Sequence, residues 1–243
     1  MQHPKIKFEI DSNKDTNTFF DFSTGAEFDG GRTLRWAILD KYPVLEKYFK
    51  GLVFVGEKSF IDLFVQEQYE KNKKIMEENL KAAEKDWQKI EESFYRLTDR
   101  LFSLSVWPEG KYIAYPTICG MYPRFLEDKT FQIPFNPKEK KCVNVIIAHE
   151  MLHFMFYDYF LAKYPQYKEN DMFAWHVSEI FNAVVQNFPE WLKVFEMPAM
   201  AYPEHEKIIA EIQKENKIDW NLDELTEKIM EKVSRSVLAI DSK

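Results

Sequence analysis

The sequence predicts an α+β fold, with a few strands early in the chain and helices over most of the rest. Short alternating or β-branched runs bounded by turn residues indicate the strands, and apolar residues at helical spacing indicate the helices. A chain of 243 residues that is 45% hydrophobic can bury a full core. We therefore predict one domain, residues 1–243, with N-terminal strands and a helix (1–57), a long helix (58–104), a central core (105–190) and C-terminal helices (191–243).

Four segments predict strands. Lys5 to Asp11 alternates charged and apolar residues with period two, as a half-buried strand does. Leu52 to Val55 is short and β-branched between two glycines, which predicts a buried strand. The third and fourth predicted strands are Lys111 to Thr117 and Thr130 to Phe135. Because Pro134 cannot donate a ladder hydrogen bond, we expect the last of these strands at a sheet edge.

The longest predicted helix runs from about Ser59 to Leu104, a stretch without glycine or proline. Such a helix is typical of a coiled-coil partner or of a backing helix laid across the sheet of its own domain. The bulky Trp87 and Phe94 favour the second interpretation. Eight apolar residues form the seam of this helix, in alternating steps of four and three: Met76, Leu80, Ala83, Trp87, Ile90, Phe94, Leu97 and Leu101.

Other helices are predicted at about 33–49, 143–159, 172–188, 204–215 and 222–240. The first should break or kink at Pro43, and Pro203 suits a helix start. Asn221 with Glu224 indicates an N-cap and a capping box for the last helix. The glycine-containing segment that follows the first strand is expected to be turn-rich.

Composition and charge exclude several classes of function. The net charge of −7 comes without a basic stripe, which argues against nucleic acid as the main partner. The N-terminal residues lack a signal-peptide core and nowhere do 18 apolar residues run together, so we expect a cytoplasmic protein that does not span a membrane. Two cysteines, Cys119 and Cys142, exclude a disulfide scaffold and a cysteine-based zinc cluster, and leave a single pairing between them open.

The run from Ile146 to Phe156 is apolar except for His149, Glu150 and His153. Buried histidine and glutamate are costly unless each finds a partner. Spacing of four places both imidazoles on one face of a helix, where they can bind one Zn²⁺. The adjacent carboxylate can then take a proton from a metal-bound water. The alternative is a pair of core histidines hydrogen-bonded to backbone carbonyls or to each other.

A catalytic zinc needs a third protein ligand and an open fourth position. Phe156 and Tyr159 stand where the metzincin motif would have glycine and a further ligand, so that extension is excluded. The next predicted helix carries polar residues along one stripe, and Glu179 is the natural third ligand. The alternative is a solvated face, which the apolar character of the helix disfavours. The stripe consists of His176, Glu179, Asn182 and Gln186.

From Lys111 to Phe188 the chain resembles the gluzincin group of zinc metallopeptidases, in which HExxH on one helix is completed by a glutamate on the next. The resemblance implies a zincin-like fold: a small mixed sheet with an edge strand over the motif helix, and a long backing helix behind. It also implies that an extended peptide substrate pairs with the Thr130–Phe135 strand. In thermolysin-like members an aspartate orients a zinc-bound histidine, and Ala183 stands in its place here. Asn182 or a backbone carbonyl could take that role.

The resemblance implies zinc-dependent hydrolysis of peptide bonds. One Zn²⁺ would be held by His149, His153 and Glu179, and Glu150 would pass the proton of the water to the leaving amine. Two alternatives stay open: a zincin-like binding or regulatory protein with a structural metal, and a hydrolase of a non-peptide substrate. Candidates for the donor to the oxyanion are His176, Tyr202 and His205; His176 could instead support a ligand or act as a fourth one.

Overall fold

The computed structural model describes residues 3–25, 32–103, 106–169, 171–215 and 221–240. These residues form an α+β fold, mainly helical, with a small mixed sheet. The strands are β1 (Lys7–Phe8), β2 (Phe49–Lys50), β3 (Val53–Phe54), β4 (Ile113–Thr117), β5 (Arg124–Phe125) and β6 (Thr130–Pro134). The α-helices are α1 (Ser12–Thr24), α2 (Arg32–Lys41), α3 (Lys58–Gln88), α4 (Glu91–Leu101), α5 (Lys141–Lys163), α6 (Asp171–Gln186), α7 (Pro189–Phe195), α8 (Glu206–Lys214) and α9 (Leu222–Ile240).

The main sheet has four strands in the order β1-β4-β6-β5. Strand β4 pairs in parallel with both β1 and β6, whereas β5 pairs antiparallel with β6. The predicted edge position of the Thr130–Phe135 strand is therefore wrong: β6 has a neighbour on each side, and β5 is the edge strand. Pro134 is tolerated because β5 pairs only with Thr130 and Phe131, so Pro134 ends β6 beyond that pairing.

A strand forms at Val53 as predicted, but the prediction that it is buried is wrong. Residues 49–54 form a separate two-stranded sheet, turned at Gly51 with a φ of 63°. The side chains of Val53 and Val55 are 62% and 61% exposed. The β-branched run thus forms one arm of a surface hairpin, because its partner is the short strand just before it and not the main sheet.

The first part of the segment expected to be turn-rich forms helix α1 instead, and the part of that prediction at Gly30 and Gly31 lies outside the described residues. Asp11 caps it by accepting a hydrogen bond from the N–H of Asn13 at 2.9 Å. Its Asp15 is fully buried and accepts hydrogen bonds from the Tyr69 hydroxyl (2.9 Å), the Ile118 N–H (2.8 Å) and the Gln132 amide (2.9 Å). Residues of low helix propensity are held helical here by contacts with β4, β6 and α3, which local spacing does not reveal.

The predicted long helix is two helices, because the chain turns at residues 89–90 between α3 and α4. The seam nevertheless packs into the core of the same chain, which confirms the interpretation preferred over a coiled-coil partner. Trp87 and Phe94 are 1% and 0% exposed, and their ring centroids lie 5.1 Å apart. Met76, Leu80, Ala83 and Leu97 are also buried, and Ile90 and Leu101 pack against the core at partial exposure.

The helices predicted in the second half of the chain are confirmed with small shifts of their ends. Pro203 begins a 3₁₀ turn, Pro203–His205, and α8 starts just after it. Asn221 accepts a hydrogen bond from the Glu224 N–H at 2.7 Å, as an N-cap does. Helix α7 was not predicted. In the first half of the chain, the helix that was expected to kink at Pro43 ends at Lys41. Pro43 then begins a separate 3₁₀ helix, Pro43–Tyr48.

Two hydrophobic clusters fill the interior. The larger one surrounds α5 and α6, and the smaller one joins α1 and the first part of α3. Cys119 is buried in the smaller cluster, and neither it nor Cys142 forms a disulfide. Among the described residues, no helix combines the length and the apolar character needed to cross a membrane.

Candidate metal centre

Helices α5 and α6 pack against each other and bring the predicted ligands together. His149, Glu150 and His153 lie in the middle of α5, and Glu179 lies in the middle of α6. Most of α5 is buried, because its apolar residues contact the sheet and the neighbouring helices. The two histidines face Glu179 on α6, and the packing around α5 holds that helix in place.

Three side chains could hold a metal ion. His149 Nε2 lies 3.0 Å from Glu179 Oε2, and His153 Nε2 lies 3.3 Å from Glu179 Oε1. One donor atom from each residue lies within 4.8 Å of the other two. Four-coordinate Zn²⁺ with bonds near 2.05 Å separates its ligand atoms by roughly 3.3 Å. The spacing of the histidine and carboxylate atoms fits such an ion.

The site is enclosed. The side chains of His153 and Glu179 are 0% and 5% exposed, and that of His149 is 17% exposed. The candidate metal centre is thus walled by protein, a setting in which charged groups interact strongly.

Burial determines the protonation of His153. Burial and the nearby Arg124 guanidinium lower the pKa of His153 to about 3, so its imidazole is neutral. Neither ring nitrogen makes a full hydrogen bond among the described residues, although both are inaccessible to solvent; Nε2 only approaches Glu179 Oε1, at 3.3 Å. A neutral imidazole is the form that binds a metal ion, and a buried polar atom without a hydrogen bond needs such a partner.

One carboxylate oxygen of Glu150 also lacks a hydrogen-bond partner among the described residues. Its side chain is 5% exposed, and its Oε2 is buried without a hydrogen bond in the described part of the chain. Burial raises the pKa of Glu150 to about 7, against the opposing effect of the charges on His149 and Arg124. Glu179 behaves differently: burial alone would raise its pKa, but contacts with His153 and His149 hold that pKa well below its usual range.

Gln186 orients His149. Its side-chain oxygen lies 2.8 Å from His149 Nδ1, and its amide nitrogen donates to the Val145 carbonyl at 2.9 Å. An acceptor at Nδ1 places a proton on that nitrogen and directs Nε2 toward Glu179. Gln186 therefore makes the contact to a histidine ring that was expected of Asn182 or of a backbone carbonyl. The expectation for Asn182 is wrong, because its amide donates to the His149 backbone carbonyl at 2.9 Å and not to the ring.

Arg124 is a site residue that the sequence did not indicate. It extends from the edge strand β5, donating from Nη1 to Glu179 Oε1 at 3.0 Å and from Nη2 to the Tyr157 hydroxyl at 3.1 Å. Its side chain is 15% exposed. Only the register of β5 against β6 brings it here, and no local pattern encodes that register.

The three predicted oxyanion donors lie together around Trp175. His176 Nδ1 and His205 Nε2 share a hydrogen bond of 2.8 Å, and Trp175 packs edge-on against Tyr202. His176 is not part of the three-residue ligand group, so the interpretation as a fourth ligand gains no support. Although Tyr202 is 45% exposed, partial burial of its hydroxyl raises the pKa of that group, and the charges of Glu179 and Glu150 add to the rise.

Comparison of the chain with protein families, with curated protein sequences and with solved structures gives no match.

Proposed function

We propose that this protein is a zinc-dependent hydrolase of peptide bonds built on a zincin-like fold. One observation carries the proposal: two imidazoles and one carboxylate converge at ligand distances, beside a second buried carboxylate, that of Glu150, whose Oε2 has no hydrogen-bond partner in the described part of the chain. Two nitrogens and one oxygen suit Zn²⁺, and three protein ligands leave one coordination position for water or substrate.

The residues of the site have separate tasks in this proposal. His149, His153 and Glu179 would hold the zinc ion, which supplies an acidified water and polarises a carbonyl. Glu150 would accept the proton of that water and deliver it to the leaving amine. Tyr202 is the candidate donor to the oxyanion, since His176 and His205 are engaged with each other.

The arrangement of strands also supports a zincin-like fold. The expected binding strand for the substrate changes from β6 to β5. Strands β4 and β6 precede the motif helix, and β5 lies at the sheet edge. Because β5 already pairs with Thr130 and Phe131, an extended peptide would add to the outer edge of Arg124–Phe125 and not to Thr130–Phe135.

The test compares zinc-loaded wild type with Glu150→Gln in a cleavage assay on a mixed peptide library. Glu84→Gln is the matched control, since Glu84 is an exposed residue of α3. We expect Glu150→Gln to keep about one zinc per chain and lose cleavage, because the amide binds no proton, while the control keeps both. Cleavage at the wild-type rate by Glu150→Gln would refute the role of Glu150. No cleavage by zinc-loaded wild type would refute peptide hydrolysis.

The enclosure of the site favours a second candidate, a zincin-like binding protein whose metal is structural. With His153 and Glu179 at 0% and 5% exposure, a substrate reaches the centre only if the walls move. In that case zinc should raise the melting temperature of wild type and of Glu150→Gln equally, and neither should cleave peptides or non-peptide esters.

A further inference from the structure

Arg124 is a positive charge placed beside a site that would receive a second positive charge. Its guanidinium contacts one oxygen of Glu179, Oε1, while the other oxygen faces His149. The contact is nearly buried on both sides, at 15% and 5% exposure, so water screens it little. Neither α5 nor α6 supplies this residue, since it comes from the edge strand.

We propose that Arg124 competes with the metal ion for the charge of Glu179 and thereby weakens metal binding. This inference rests on the metal-binding part of the proposed function. It concerns affinity and charge balance in the site, and it does not depend on whether the protein turns over a substrate.

The electrostatic step follows from the charges present. Glu150 and Glu179 bring up to two negative charges, and Arg124 cancels one of them. A cation that donates to a ligand carboxylate withdraws electron density from it and repels an incoming divalent ion. Removal of the guanidinium should therefore increase the affinity of the site for zinc.

The geometric step concerns the number of oxygens that Glu179 can offer. Arg124 Nη1 is 3.0 Å from Oε1, which also lies 3.3 Å from His153 Nε2, whereas Oε2 faces His149 Nε2 at 3.0 Å and does not contact the guanidinium. This arrangement favours coordination through one oxygen and keeps one zinc position open. Without the guanidinium, both oxygens become available to the ion, which acts in the same direction as the charge.

Tyr157 holds the guanidinium through its other terminal nitrogen, Nη2. Its hydroxyl accepts from Arg124 Nη2 at 3.1 Å and lies 3.3 Å from the Ser178 hydroxyl. Arg124 is thus held by two anchors and is not a surface side chain that happens to reach Glu179. A residue that merely oriented Glu179 for the metal would have the opposite effect, since its removal would weaken zinc binding.

The experiment measures zinc affinity of the full chain. Each protein is stripped with a chelator and titrated with Zn²⁺ in competition with a chromophoric chelator. The variants are Arg124→Gln, Arg124→Lys and, as matched control, Arg96→Gln, which changes an exposed arginine of α4. We expect the zinc Kd of Arg124→Gln to fall by about tenfold or more, with Arg124→Lys and the control close to wild type.

An unchanged or higher Kd in Arg124→Gln would overturn the inference while leaving the metal centre intact. Absence of zinc binding in every protein would overturn the metal centre and this inference with it. Circular dichroism reports whether each variant folds. If Arg124→Gln does not fold, Arg124→Met replaces it, because its apolar chain removes the charge without burying a further amide.

Discussion

Replacement of Gln186 by leucine should weaken zinc binding without unfolding the protein. Gln186 is 2% exposed, so no water can replace the 2.8 Å hydrogen bond that its oxygen makes with His149 Nδ1. Loss of such a partner costs about 10- to 100-fold in metal affinity, which corresponds to about 1.4–2.8 kcal/mol. The cost of leaving one buried N–H unpaired, about 1–3 kcal/mol, gives the same range.

Competition titration with a chromophoric chelator measures this effect, with Gln66→Leu as control because Gln66 is exposed on α3. Gln186→Glu should bind zinc at least as tightly as wild type, since a carboxylate accepts the Nδ1 proton more strongly. An unchanged zinc Kd in Gln186→Leu would show that the bond to Gln186 does not orient His149, and the reasoning would fail.

Three further predictions concern the stability of the fold. Burial raises the pKa of Asp15 from 3.8 to about 6, so the folded protein holds this proton more tightly than the unfolded chain. Its contribution to stability is present below about pH 4 and is lost as the pH rises through about 6. In urea denaturation, wild type should therefore lose about 3 kcal/mol of stability relative to Asp15→Asn between about pH 4 and pH 7. Phe181→Ala should cost about 3–5 kcal/mol in the same assay, because the ring is fully buried and its centroid lies 4.6 Å from that of Phe156. Asn221→Ala should cost about 1 kcal/mol through loss of the N-cap of α9.

Local spacing predicts which three polar side chains converge between α5 and α6. His149 and His153 are four residues apart on one helix, and Glu179 belongs to a polar stripe on the next apolar helix. Such patterns follow from the 3.6-residue period of a helix, which depends only on neighbours in the chain. The structure places these three donor atoms within 4.8 Å of one another.

Local sequence patterns do not predict features that depend on contacts with distant parts of the chain. Arg124 reaches Glu179 only because β5 pairs with β6, and the sequence around it gives no sign of that register. Helix α1 depends on donors from α3, β4 and β6 that converge on Asp15, so its own residues resemble a loop. The edge position of β6 was inferred from Pro134 alone, whereas the pairing partner of a strand is decided elsewhere.

Zinc content measured on purified protein tests the central claim most directly, with wild type beside His149→Ala and Glu179→Ala. The account predicts about one zinc per chain in wild type and loss or strong weakening in both variants, because each removes one of three ligands. Zinc that persists in both variants, or a wild-type protein that takes up no zinc when it is supplied, would contradict the metal centre.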